Sequence, residues 1–172
     1  MKLKFKYTAL SVIVLSMVST ASYAAAGPTV SKTLTVNVKA TAALTANWVA
    51  PANIYAEQLV NSTPLIGTLT LTPTSIQTVT IASTDASDAT QQGTVTFKNT
   101  TDSNKTFKTL MSTNTSGVVL TKGNGNAVVE SATSGNDLPG TVSVQFNAIK
   151  NAASTATVGS YTATVNLTSV IA

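Results

Sequence analysis

The side chains that could carry chemistry are few here, and the missing types decide more than the present ones. The 172-residue chain contains no histidine, no cysteine and no arginine. The usual nucleophile–base pairs, thiolate nucleophiles and zinc sites are therefore excluded. Six carboxylates remain: Glu57, Asp85, Asp88, Asp102, Glu130 and Asp137. Asp85 and Asp88 could bind calcium, but two carboxylates three residues apart in a polar loop read as turn formers. Glu57 and Glu130 could pair for glycoside hydrolysis, yet no sequence feature brings them together. Gly123 and Gly125 precede no helix, so they do not make a phosphate-cradling loop. Lys98, Lys105 and Lys108, with Phe107 among them, could form a surface for acidic glycans or glycolipids. The plainer reading of the same residues is a solvated hairpin with its apolar face inward. The N-x-[ST] triplets at Asn61, Asn99, Asn104, Asn114 and Asn166 are expected by chance in so threonine-rich a chain. No catalytic residue, cofactor or metal is assigned, and the expectation is a protein that is not an enzyme.

The elements that carry these residues begin after a leader. Lys2, Lys4 and Lys6 form a positive start, Ala9 to Val18 an apolar run, and Ser22-Tyr23-Ala24 a small-residue cleavage site. The run is shorter than the roughly 18–20 residues of a spanning helix. Cleavage after Ala24 is expected, with Ala25 and Ala26 as neighbouring alternatives. Beyond residue 24, seven lysines face six Asp and Glu, so the net charge is only +1. That balance, with no arginine, speaks against nucleic acid as a partner. Export would permit a disulfide, but there is no cysteine to form one.

Threonine, valine, leucine and isoleucine dominate the remainder in period-two alternation, which predicts an all-β domain. Thr29 to Ala40 places Val30, Leu34, Val36, Val38 and Ala40 on one face of a strand. Further runs follow at Ala43–Val49, Leu65–Leu71 closed by Pro73, and Ser75–Ser83 with a bulge or strand start near Gln77. They continue at Gly93–Thr100, Lys105–Ser112, Val118–Leu120, Val128–Val129 and Thr141–Ala148. Gly123-Asn124-Gly125-Asn126 signals a hairpin. Gly159 to Ile171 closes the chain with Tyr161, Ala163, Val165 and Leu167 on one face. No helix of clear length is expected. Several short strands separated by turns read as a sandwich or a barrel.

The two ends allow two arrangements. Both terminal strands could pair within one closed sheet. Alternatively the sheet lacks a strand beside Gly159–Ile171, and the N-terminal strand of a neighbouring subunit fills the gap.

Several segments carry a resemblance. They are A-A-G-P-T (25–29), L-I-G-T-L-T-L (65–71), S-I-Q-T-V-T-I-A-S-T (75–84), G-T-V-T-F (93–97) and G-S-Y-T-A-T-V-N-L-T-S (159–169). With these the chain resembles the major fimbrial subunits of the chaperone–usher pathway, most closely the coli surface antigen three colonisation fimbria of enteric bacteria. The resemblance implies an incomplete immunoglobulin-like sandwich completed by donor-strand exchange. It divides the chain into a signal peptide (1–24), a donor strand (25–40) and a pilin domain (41–172). Val30, Leu34, Val36, Val38 and Ala40 become donor residues, and Tyr161, Ala163, Val165 and Leu167 the acceptor groove. Implied partners are identical subunits, a periplasmic chaperone, an outer-membrane usher and a host-cell glycan or protein receptor. The implied destination is the cell surface by way of the periplasm, and the lack of a disulfide suits this branch. Two other readings stay open: a monomeric secreted β-sandwich that binds a ligand, and a small outer-membrane β-barrel.

Overall fold

Alternation of β-branched and polar residues sets the strands, and burial follows it residue by residue. The computed structural model describes residues 42–51, 53–150 and 157–171. The expected leader and the strand Thr29–Ala40, with Val30, Leu34, Val36, Val38 and Ala40, lie outside the described residues.

The described strands are β1 (Ala43–Val49), β2 (Leu65–Thr74), β3 (Thr78–Ser83), β4 (Thr94–Asn99), β5 (Thr106–Thr113) and β6 (Val118–Gly123). They continue with β7 (Asn126–Ser131), β8 (Val142–Ala148), β9 (Tyr161–Thr162) and β10 (Val165–Val170). One sheet has the order β1-β2-β8-β5-β4-β9 and the other β10-β3-β7-β6, with every pairing antiparallel. The architecture is an all-β sandwich, as the alternation predicts. No helix among the described residues is long and apolar enough to cross a membrane.

The core lies between the sheets. Leu71, Val79, Ile81, Val95, Met111, Val129, Val142 and Val144 are fully buried, one or two from each contributing strand. In β8 the inward series Val142, Val144, Phe146 and Ala148 is buried while Ser143, Gln145 and Asn147 are half-buried. Thr109 sits in the same inward series of β5 and is also fully buried. Its Oγ1 donates to the Val95 carbonyl at 3.1 Å, which removes the penalty of burying a hydroxyl.

Four features differ from the period-two reading. A six-residue helix, α1 (Ala56–Asn61), forms between Pro51 and Pro64. Six residues are too few to display a helical period, so the sequence pattern hides it. Strand β2 runs through Pro73, which lies opposite Leu44 of β1. Pairing with β8 has already ended at Leu71, so the missing N–H costs that ladder nothing. A register shift that the alternation does not signal lies in β2, between Leu65 and Gly67, whereas the strand start expected near Gln77 is found at Thr78. Finally, the single strand expected over Gly159–Ile171 is two strands in different sheets, β9 beside β4 and β10 beside β3.

Candidate functional site: an open strand edge and an aromatic cleft

Strand β10 pairs with β3 from Val165↔Ser83 to Val170↔Thr78 and has no second partner among the described residues. Two backbone bonds pin it at its ends: Thr84 N–H donates to the Thr164 carbonyl at 3.2 Å and Gln77 N–H to the Val170 carbonyl at 3.1 Å. Tyr161, Ala163, Val165 and Leu167 all point at the core, yet each is only half-buried, alternating with exposed Thr162, Thr164, Asn166 and Thr168. By contrast Val79 and Ile81 on β3, the next strand inward, are fully buried. The four candidate acceptor residues thus share one phase but not one strand: Tyr161 lies on β9 in one sheet, and Val165 and Leu167 on β10 in the other, whose outer edge has no partner among the described residues. Such an edge invites pairing with another strand.

At the Tyr161 end of this set the sandwich opens into a cleft of about 830 Å³. It brings together Trp48 at the end of β1, Tyr55 before α1, Leu59 of α1, Phe97, Phe107 and Tyr161. The rings touch in sequence. Tyr161 lies 5.1 Å from Phe107, which stacks on Phe97 at 5.2 Å; Trp48 follows at 6.2 Å and meets Phe146 edge-on at 5.2 Å. All six aromatic residues after the expected leader therefore gather at one end of the domain. The Tyr161 hydroxyl donates to the Thr157 carbonyl and accepts from the Thr157 amide, both at 2.9 Å. Trp48 stays 41% exposed and Tyr55 69% exposed, so the mouth of the cleft is wet and its floor apolar.

The lysines considered as a receptor surface lie elsewhere. Lys98 on β4 and Lys108 on β5 project from the outer face of their hairpin, and Lys105 lies in its turn. A 3-10 turn, Ala86–Asp88, covers this face. Lys98 Nζ lies 2.6 Å from Asp85 Oδ2, and the Lys98 ammonium, followed by the Ser87 amide, lowers the Asp85 carboxyl from 3.8 to about 2. Lys108 Nζ donates to the Ser87 carbonyl at 3.3 Å and lies 3.8 Å from Asp88 Oδ1. Both charges are thus partnered within the chain.

Asp88 is the residue whose importance sequence reasoning missed. It is fully buried. Its carboxylate accepts from Ser83 Oγ at 2.6 Å, Thr96 Oγ1 at 2.6 Å and the Thr96 amide at 2.8 Å. Ser83 belongs to one sheet and Thr96 to the other, so one side chain joins the two. Asp85 does act as a turn former, accepting from the Ser87 amide at 2.9 Å. Nothing in S-T-D-A-S-D separates the two aspartates, since a polar run of this kind reads as solvated along its whole length. Among the described residues no group of three or more acidic side chains gathers as a metal site would need.

No protein-family model matches the chain. Over 69 residues the chain is 44% identical to a CS3 fimbrial subunit of Escherichia coli. That match spans 40% of the chain and 40% of the relative's length. Across that stretch the chain is similar to a fimbrial subunit.

Proposed function

We propose that this protein is the major structural subunit of an adhesive fimbria, a colonisation factor. It polymerises by inserting its N-terminal strand beside β10 of the next protomer and attaches the cell to host mucosa. The observation that carries this reading is the half-buried set Tyr161, Ala163, Val165 and Leu167, with a β10 edge that has no second partner among the described residues. The partial likeness to a fimbrial subunit supports it. Val30, Leu34, Val36, Val38 and Ala40 supply an apolar face of matching period. Burying them at roughly 1.5–3 kcal/mol each, less for alanine, gives on the order of 5–15 kcal/mol before association costs. Main-chain ladder bonds add to this.

In this reading the role is mechanical and adhesive rather than enzymatic. A periplasmic chaperone caps the β10 edge until an outer-membrane usher passes the subunit into the fibre, and a host glycan or protein is the receptor. The test is deletion of residues 25–40 in cells that carry the chaperone and usher. The truncated chain is expected to form the chaperone complex and no fibres on electron microscopy. Fibres of normal length would overturn the reading.

A further inference from the structure

The last strand changes sheets between Thr162 and Val165, and the structure holds a specific alternative to that change. Strand β9 pairs with β4 at Asn99↔Tyr161 and Lys98↔Thr162. Continued in the same register, it would set Thr164 opposite Thr96 and Asn166 opposite Thr94. The backbone of β4 is poised for this. Asn99 N–H donates to Lys105 on the β5 side, and Thr100 N–H to Ser160 on the other. Groups of the even-numbered residues thus face away from β5, towards where a longer β9 would lie. Yet the chain leaves after Thr162, and the Thr164 carbonyl accepts from Thr84 at the end of β3 instead.

What occupies the vacated position is Asp88. Its Oδ2 takes the Thr96 amide at 2.8 Å and its Oδ1 takes the Thr96 hydroxyl at 2.6 Å. The carboxylate is held for this task. Ser83 Oγ donates to it, and Gly125, at φ +66°, packs so closely that a Cβ would lie 3.2 Å from the Asp88 carbonyl oxygen. An edge amide left open would otherwise pair with whatever strand lies nearest, and here that strand is the chain's own continuation.

We propose that Asp88 is a positioning residue that sets where the last strand changes sheets, by satisfying the Thr96 amide, the next β4 donor along a continued β9. By ending β9 at Thr162 it frees residues 165–170 to pair with β3, and so builds the edge and apolar set proposed as the acceptor. The functional consequence rests on the fimbrial reading; the strand switch itself does not.

Amide hydrogen exchange on the full chain tests it. In the unaltered protein the Thr96, Gln77 and Thr84 amides are expected to exchange slowly. In Asp88→Ala, Gln77 and Thr84 lose protection by about tenfold or more while Val129 and Val144 in the core keep theirs. Adding Thr96→Pro, which removes the competing donor, restores protection of Gln77 and Thr84. Asp85→Asn serves as control and shifts these amides by no more than its small loss of global stability, equally with Val129 and Val144. If Asp88→Ala does not fold, Asp88→Leu carries the same comparison, since it keeps the branched side-chain shape and offers no acceptor oxygen to the Thr96 amide. Unchanged protection in either variant overturns the proposal. So does a uniform loss across the core that Thr96→Pro does not rescue, because that marks a merely stabilising carboxylate. Selective, rescuable loss in a chain that forms no fibres under any condition would retain the switch and remove the fimbrial reading.

Discussion

The indole of Trp48 lies across the backbone of Gly67, so close that a Cβ at Gly67 would overlap the six-membered ring. Gly67 stands at the register shift of β2, opposite Phe146, which meets the same indole edge-on. The aromatic cleft therefore depends on a position with no side chain. Gly67→Ala is expected to displace the ring and cost about 1–3 kcal/mol, the range for overpacking. Urea unfolding measures the loss. Emission from Trp48, the chain's single tryptophan, should shift to the red.

Acid should weaken the clasp over the β4–β5 hairpin. Asp85 has its carboxyl lowered from 3.8 to about 2, chiefly by the hydrogen bond from Lys98 and then by the Ser87 amide. A depressed folded-state pKa means the stabilisation is present above the unfolded value and lost as pH falls from about 4 to about 2. Lys98 is half exposed, so solvent screening leaves about 1 kcal/mol or less of it. Asp85→Asn should remove that part of the acid limb and leave stability at pH 7 lower by a similar amount. Denaturant midpoints between pH 2 and pH 7 decide it.

Ser75 joins β2 to β3 with φ of +52°, a left-handed conformation that costs a residue with a Cβ about 1–2 kcal/mol. Ser75→Gly removes that strain and adds chain entropy in the unfolded state, so a net gain of about 0.5–1 kcal/mol is expected. Ser75→Val should destabilise by more than that. Thermal unfolding of both variants separates them from the parent in opposite directions.

Within the acceptor set, a charge should act on assembly more than on folding. Leu167 is half-buried at an edge, so Leu167→Asp is expected to cost the isolated domain about 1–2 kcal/mol. In a fibre the same carboxylate would be buried without a partner, at a cost of several kcal/mol. Fibre yield on electron microscopy should fall at least tenfold while circular dichroism of the subunit is preserved. Equal yields would show that Leu167 is not covered by a neighbouring chain.

Much of this molecule is readable from period two. The runs at Leu65, Gly93, Lys105 and Thr141 became β2, β4, β5 and β8, and Gly123–Asn126 became the turn between β6 and β7. In each case a half-buried strand has to alternate, so its pattern carries its own evidence. The tertiary choices left no such mark. Tyr161 and Val165 share a phase in the sequence, and only pairing partners place one in each sheet. Pro73 reads as a strand end because its missing donor matters only where a second neighbour needs it. Asp85 and Asp88 look alike in the sequence, yet one is a partly exposed turn former and the other a fully buried link between sheets. The aromatic cleft is assembled from Trp48, Tyr55, Phe97, Phe107 and Tyr161, which are scattered over more than a hundred residues. No local window contains that information.

The crossing at Ala163–Thr164 also determines how the domain meets a mechanical load. A pull along β10 runs parallel to its six paired positions with β3, so their hydrogen bonds are sheared together instead of peeled one after another. Whatever load passes that ladder continues through Ala163 and Thr164 into β9, and from there into β4 of the opposite sheet. Tension applied to one edge strand is thereby shared by both layers.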